Sequence, residues 1–528
     1  MGRICSVLSV LSVLSVPSIA VSQQTTAERT DYAATSSHAD VLAFLDSLAR
    51  AGAGIRRATL ATSPRGREVP FTVASRPLVD GPAEAHRSGK PVIYVQAGIH
   101  AGEVEGKEAA QMLLRDLTLG ALRPLLDSIV LILVPIYNTD GNDGFGPAER
   151  NRPGQNGPAV VGVRPNGQGL DLNRDYVKQE APETRGAAAI IAAWDPDLFV
   201  DLHTTNGSYH GYALTYAPGL NPNSTPANDW TRDRMLPELR KRMRERHQRE
   251  VFWYGNFRNQ HPDSLILGWE TYDPRPRFGT NWFGMRGRVS ILSEAYSNAD
   301  FRARVGATYE FVLEILRLAA TERATIRGLA DRAVPLPDSL TLRSELGQAR
   351  LEDVIAEITQ PAGEGAGSFS RRRRTGVYRT IRMPVFDRFQ PARREAIPAA
   401  YLLPPEHAPL AQLLRGHGVR VARLGAGWEG PTEGFRVDSV IAATGAFEGH
   451  REVRVEGRWQ PRATSVTAGW FLVSTSQRLG LLAAYLLEPA SEDGFVTWNL
   501  FDRDLRRGRD APVLRTRQLP TVRGTELP

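Results

Sequence analysis

Apolar and polar positions along the first three hundred residues fall into blocks whose period changes from block to block. Asp40–Ala51 has helical spacing, and Ile55–Ala61 and Val69–Ala74 are short apolar runs flanking a Ser-Pro-Arg-Gly turn, which predicts a hairpin. Pro91–Ala97 is rich in Val, Ile and Tyr; after Gly98 the pattern becomes helix-like, with Ala109, Met112, Leu113 and Leu117 on one side. That is a buried strand, a tight turn and a helix. Ile129–Ile136 is a continuous apolar run, as expected of a central strand covered on both faces. A long stretch rich in Asn, Gly and Pro follows, from Asn138 to Asp171, and a loop of that length is usually functional or disordered. Pro182–Trp194 reads as a helix with proline in its first turn, Leu198–His203 as a short strand, and Asn228–Arg249 as a highly charged helix. Val289–Ser293 reads as a strand ending at Glu294, and Arg302–Arg323 as an amphipathic helix. Strands alternating with helices predict an α/β domain of about 300 residues.

From about Val334 the texture changes to proline punctuation and shorter strands. Ala399–Leu403, a helix near Leu410–Arg415 and Val419–Leu424 form a small strand–helix–strand unit. Val437–Ala443, Glu452–Glu456 and Trp470–Ser474 read as strands, and Leu479–Leu487 as a helix. The division expected is a leader over 1–22, an α/β domain over 23–330 and a smaller α+β domain over 331–528. The second domain carries no metal-ligand spacing and no nucleophile motif, so its role is open, with binding of a glycan or a partner protein as one hypothesis.

The leader has one arginine, an apolar core broken by serines and Pro17, and a small-x-small cleavage site at Ala20-Val21-Ser22. It reads as a secretory signal rather than a transmembrane helix, and predicts a periplasmic or extracellular protein. No later stretch is long and apolar enough to span a bilayer. The one cysteine, Cys5, lies inside the leader, so the mature chain has no disulfide, cysteine nucleophile or thiolate metal site. Residues 23–35 are polar and expected to be disordered. At 528 residues and 41% hydrophobic the chain can bury the cores of two or three domains. Its net charge of +7 raises nucleic acid as a partner, but only four of 65 basic residues are lysine (Lys90, Lys107, Lys178, Lys241), which reads as a compositional bias and not as a binding footprint. The densest run is Arg371–Arg374, and its neighbours GEGAGSFS read as a flexible loop.

His100 and Glu103 sit at the end of the strand 91–97, where ligands collect in α/β sheets, and at this spacing both can reach one divalent ion. His203 ends the strand in VDLHT and completes a His₂Glu set. Three protein ligands leave a fourth position for water, the composition of catalytic zinc, so one zinc per chain and a hydrolytic reaction are expected. Such a site needs a base, and Glu294 in SILSEAYS is the best candidate. It also needs positive groups for an oxyanion and an anionic substrate; Asn173 and Arg174 in LDLNRDY, and Arg150 and Arg152 in ERNRPG, are available, and the planar fork of arginine suits a carboxylate.

Six short motifs in order, IHAGEVEG, YNTDG, NRPGQ, DLNRDY, DLHT and SEAYS, resemble those of the M14 zinc carboxypeptidases over roughly residues 35–325. The resemblance implies a mixed, mostly parallel sheet flanked by helices. It implies zinc on His100, Glu103 and His203, with Glu294 as general base that then passes a proton to the leaving amine. By the same resemblance Arg152 steadies the oxyanion, with Arg150 as the fallback, and Asn173 and Arg174 grip a substrate's terminal carboxylate. Tyr272, in ETYDPRP, lies near the distance at which the family carries a substrate-covering tyrosine. The loop 138–171, the segment 250–285 and the last 200 or so residues do not follow the digestive members of the family.

The reading that follows is an exported metallocarboxypeptidase acting on peptides with a free C-terminal carboxylate. A zinc amidase or peptidase acting on cell-wall peptides, or a deacylase of small N-acyl amino acids, uses the same chemistry. A catalytically inactive binding module on the same scaffold is the alternative from another class; its mark is a missing ligand or base, and all four residues are present.

Overall fold

A computed structural model describes residues 23–223, 226–331, 336–362, 372–522 and 524–527. The leader at 1–22, Arg371 and the GEGAGSFS segment lie outside the described residues.

Eight strands make a mixed sheet in the order Ile55–Thr62, Glu68–Ala74, Val130–Val134, Val92–Ala97, Leu198–Thr204, Val289–Ala295, Leu214–Pro218 and Val251–Trp253. The four central strands run parallel and are buried along their whole length. Period-two alternation divides their side chains between two apolar layers. Ile93, Val95, Leu131 and Val200 pack with Leu113 and Leu117 of the helix Glu105–Thr118 and with Phe311 and Ile315 of the helix Phe301–Thr321. Val92, Tyr94, Ile132 and Phe199 pack on the other face with Ile191 of the helix Pro182–Trp194 and with Trp282. Each such side chain contributes roughly 1.5–3 kcal/mol on burial. The α/β expectation with a mixed, mostly parallel sheet holds.

The C-terminal half is β-rich. Its seven-stranded sheet runs Val453–Val466, Trp428–Ala442, Asp510–Thr516, Ala400–Leu403, Phe471–Ser474, Ala422–Leu424 and Gly524–Glu526. Tyr401, Leu414 and Trp498 belong to the same buried cluster as Tyr94 and Ile191, so the two halves share a continuous core. His417, fully buried between them, accepts at Nδ1 from the indole N–H of Trp282 at 3.0 Å.

Two expectations are corrected and one ribbon is added. Residues 23–35 are ordered: Thr25 and Glu28 form a reciprocal cap on the turn Thr26–Arg29, Ala27 is buried, and Thr35 and Ser36 satisfy the buried carboxylate of Glu108. Arg372–Arg374 open the strand Arg372–Phe386, paired antiparallel with Arg350–Pro361; this ribbon, which the sequence did not suggest, joins Trp269–Glu270 in a four-stranded sheet. The charged helix is interrupted, Pro226–Trp230 and Leu236–His247 being joined by a wide turn at Thr231–Met235.

Candidate active site

The strand Val92–Ala97 stops at Gly98, whose φ of +70° is a left-handed conformation that glycine adopts without cost. The turn that follows carries His100 over the C-terminal end of the sheet, and the N–H of Glu103 closes it onto the His100 carbonyl at 3.0 Å. The helix then leaves against the neighbouring strand, where Gly106 permits the approach: a Cβ there would come within 2.8 Å of Leu202. His203 and Glu294 are register partners on adjacent parallel strands, so both side chains rise from one face about 4.8 Å apart.

The ligand atoms of His100, Glu103 and His203 all lie within 4.8 Å of one another. His203 Nδ1 is 3.2 Å from His100 Nδ1 and 3.0 Å from Glu103 Oε2, and His100 Nδ1 is 3.2 Å from Glu103 Oε1. The outer nitrogens are fixed by acids: His100 Nε2 is 3.0 Å from Asp171 Oδ1, and His203 Nε2 is 3.1 Å from Asp201 Oδ2. Two imidazoles turning their inner nitrogens toward each other beside a carboxylate, each held from behind by another carboxylate, are the donor set and support that zinc uses. These residues fit the ion.

Burial works against charge on Glu103, but the Arg152 guanidinium and His100 outweigh it and hold its carboxyl well below the usual range. Burial pushes Glu294 the other way, up to about 8, with the charge of Glu103 adding to the shift. Burial also opposes the proton on His203, yet Asp201 and Glu103 raise it well above an ordinary histidine. Glu103 therefore stays a carboxylate, the form in which it can ligate a metal.

Two cavities meet at His100 and Glu103. A smaller pocket of about 200 Å³ is lined by Arg174, Tyr254, Tyr272, Phe278, Leu292 and Glu294 among others, and a wider cleft of about 830 Å³ runs past Arg152, Arg164 and Asn206. Arg152 donates to the carbonyl oxygens of Thr204 and Thr205, lies 3.2 Å from Glu103, and keeps a buried Nε with no hydrogen-bond partner. Arg174 lies over the Phe278 ring at 4.2 Å and donates to the Asn173 carbonyl. Asn173 lines the smaller pocket, but its amide is engaged within the protein, with Nδ2 3.5 Å from His203 Nε2 and Oδ1 accepting from Gly279 N at 2.9 Å. Tyr272 stands in the wall with its hydroxyl 3.3 Å from Asn281 Oδ1 and its ring edge-on to Tyr254 and Phe278. Arg150 is not brought in: it is exposed, bonds its neighbour Asn151 and lines neither cavity.

Four residues of the site went unread in the sequence. Arg164 donates to Asp171 from Nε at 2.9 Å and lies 3.6 Å from Glu103. Asp171 and Asp201 orient the two histidines, and Tyr254 lines the pocket. Asp201 was readable, because i and i+2 on a strand share a face.

Residues 41–263 match the family model described as zinc carboxypeptidase. Among curated relatives the chain is similar to Carboxypeptidase 2 of Trichophyton rubrum, 22% identical over 479 residues that cover 86% of this chain and 81% of the relative. It is also similar to Probable carboxypeptidase 2 of Arthroderma benhamiae, 24% identical over 464 residues, covering 82% and 79%. Among solved structures it is similar to a metallo-carboxypeptidase from Pseudomonas aeruginosa, at 18% identity and a TM-score of 0.37, covering 54% of this chain and 69% of that one. Five of the six ordered motifs lie within residues 41–263, so over that stretch the chain is similar to the zinc carboxypeptidases, with the sixth, SEAYS, beyond it.

Proposed function

We propose that this protein is a zinc-dependent metallocarboxypeptidase that removes C-terminal residues from peptides with a free carboxylate. The observation that carries the reading is the convergence of His100, Glu103 and His203, with Glu294 beside His203 in register and a pocket of about 200 Å³ next to them. Zinc on those three ligands supplies Lewis acidity at the head of the pocket.

The chain's own groups do the rest. Arg174, fixed over Phe278, meets the terminal carboxylate of the substrate with its planar fork. Asn173 holds the His203 side of the site in place. The aromatic wall of Tyr254, Tyr272 and Phe278 covers the terminal side chain and keeps water from it. Glu294 takes a proton from the attacking water as the water oxygen bonds to the scissile carbonyl, then gives it to the amine as the C–N bond breaks. Negative charge gathers on the carbonyl oxygen beside Arg152. Without a cation Glu294 is largely protonated at neutral pH; a divalent charge beside it favours the carboxylate the base requires. With residues 1–22 read as an export signal, the substrates are peptides outside the cytoplasm.

A mixed peptide library followed by mass spectrometry tests this, with zinc-loaded protein beside a chelated sample. The expected record is stepwise loss of C-terminal residues that chelation abolishes. Internal cuts, or intact peptides despite one zinc per chain, would overturn it.

A further inference from the structure

The C-terminal half contributes to the wide cleft through Phe447. Phe447 begins a tight turn: its N–H donates to the His450 carbonyl at 2.7 Å, and the His450 N–H donates back at 3.0 Å. Glu448 and Gly449 have φ of +49° and +79°, the pair of left-handed residues of a type I′ turn. The turn is held from three sides. Glu448 Oε2 accepts from the backbone N–H of Asp171 at 2.9 Å, His450 Nε2 lies 2.9 Å from Glu180 Oε1, and the His450 ring stands edge-on to Trp498. Phe447 nevertheless leaves 40% of its surface open, and that surface faces the cleft. What distinguishes this ring from other exposed apolar side chains is its place on a rigid turn at the edge of the cleft that holds His100 and Glu103.

The inference rests on the proposed function. A terminal residue fills the smaller pocket, and the wide cleft, about 830 Å³ against about 200 Å³, has the room for the rest of the peptide. Among the side chains along that cleft are Arg152, Gln155, Asn206, Ser297 and Asn298, and, among the described residues, the one other aromatic lining it is Tyr209. We propose that Phe447 is a specificity-determining residue, forming the apolar wall for the peptide segment that precedes the terminal residue and selecting large apolar or aromatic side chains there. The C-terminal half thereby completes the substrate cleft.

The test uses the full chain and N-acetylated peptides that share one C-terminal residue and carry Gly, Leu or Phe at either of the two positions before it. For the wild type, kcat/KM for Phe over Gly is expected to be about tenfold, the discrimination that one partly covered apolar contact provides. Phe447→Ala should reduce that ratio to about twofold or less, while Phe447→Leu should retain most of it, with metal per chain the same in all three by elemental analysis. A wild-type ratio near one, or a ratio unchanged in Phe447→Ala, overturns the inference. If the wild type cleaves no peptide, the proposed function falls by itself; the Kd ratio for the same peptides on Glu294→Gln, with and without Phe447→Ala, then decides. A ratio lost with Phe447 supports the wall, and an unchanged ratio or no binding overturns it.

Discussion

Each half of the molecule buries a cluster of acids beside a sheet, and the two clusters are finished differently. In the C-terminal sheet Glu488 is fully buried, yet it accepts from Tyr401 Oη at 2.6 Å and from the Trp459 indole at 3.0 Å, with Arg515 3.7 Å away. Arg515 also pairs with Glu395 and Glu433 and lies over the Trp459 ring at 4.4 Å. Donor meets acceptor throughout. At the end of the central sheet two imidazole nitrogens and a carboxylate converge within 4.8 Å of one another, with Glu294 alongside and an Arg152 Nε left unpartnered. Buried polar groups are expensive unless matched. A cluster whose own residues complete it is structural, and one that waits for a cation and a substrate is a site.

The sharpest way to break this comparison is to neutralise an acid in each cluster. Glu294→Gln keeps the shape and removes the base, so kcat should fall by as much as about 10⁴-fold while zinc per chain stays at one. Steady-state kinetics beside elemental analysis reads both; activity within tenfold of wild type would mean that another group takes the proton. The arginines come next. Arg152→Ala should lower kcat by about 10²–10³-fold, the usual cost of one oxyanion donor. Arg164 grips Asp171, which orients His100, so Arg164→Ala should act on metal affinity instead, by about 10–100-fold in a competition with a chelator. A larger kcat loss in Arg164→Ala than in Arg152→Ala would exchange the two roles.

The sequence carried the unmatched cluster better than the matched one, for a physical reason. His100, Glu103, His203 and Glu294 each follow an apolar strand whose burial is written in consecutive residues, so strand ends, and with them the ligands, could be located by pattern. Arg164 sits in a loop without periodicity, and only the fold brings it to Glu103. Phe447 lies more than 150 residues from Glu294 in sequence, on a turn whose position against Asp171 depends on how the two halves pack. The ribbon Arg350–Pro361 with Arg372–Phe386 escaped notice because its apolar side is confined to a few positions, among them Val354, Ala356, Met383 and Val385, and the rest is exposed and arginine-rich. Order at residues 23–35 came from a capping box and from hydroxyls serving Glu108, neither of which hydropathy registers.

The smallest expected effect belongs to the matched cluster and tests whether its match is complete. Burial raises the Glu488 carboxyl to about 7, with the hydrogen bonds from Tyr401 and Trp459 and the charge of Arg515 opposing the shift only in part. The folded protein therefore holds this proton more tightly than the unfolded chain, whose glutamate titrates near 4.3. The stabilisation linked to it is fully present below that value and is lost as pH rises through about 7. Glu488→Gln cannot ionise, so it should unfold in urea with stability similar to wild type near pH 4, and should exceed wild type at pH 8 by at most about 4 kcal/mol. Peptide hydrolysis should be the same in both, since Glu488 lines neither cavity of the site. Parallel pH profiles in the two proteins would mean that Arg515 compensates the buried charge fully, and that the C-terminal cluster is matched in charge as well as in hydrogen bonds.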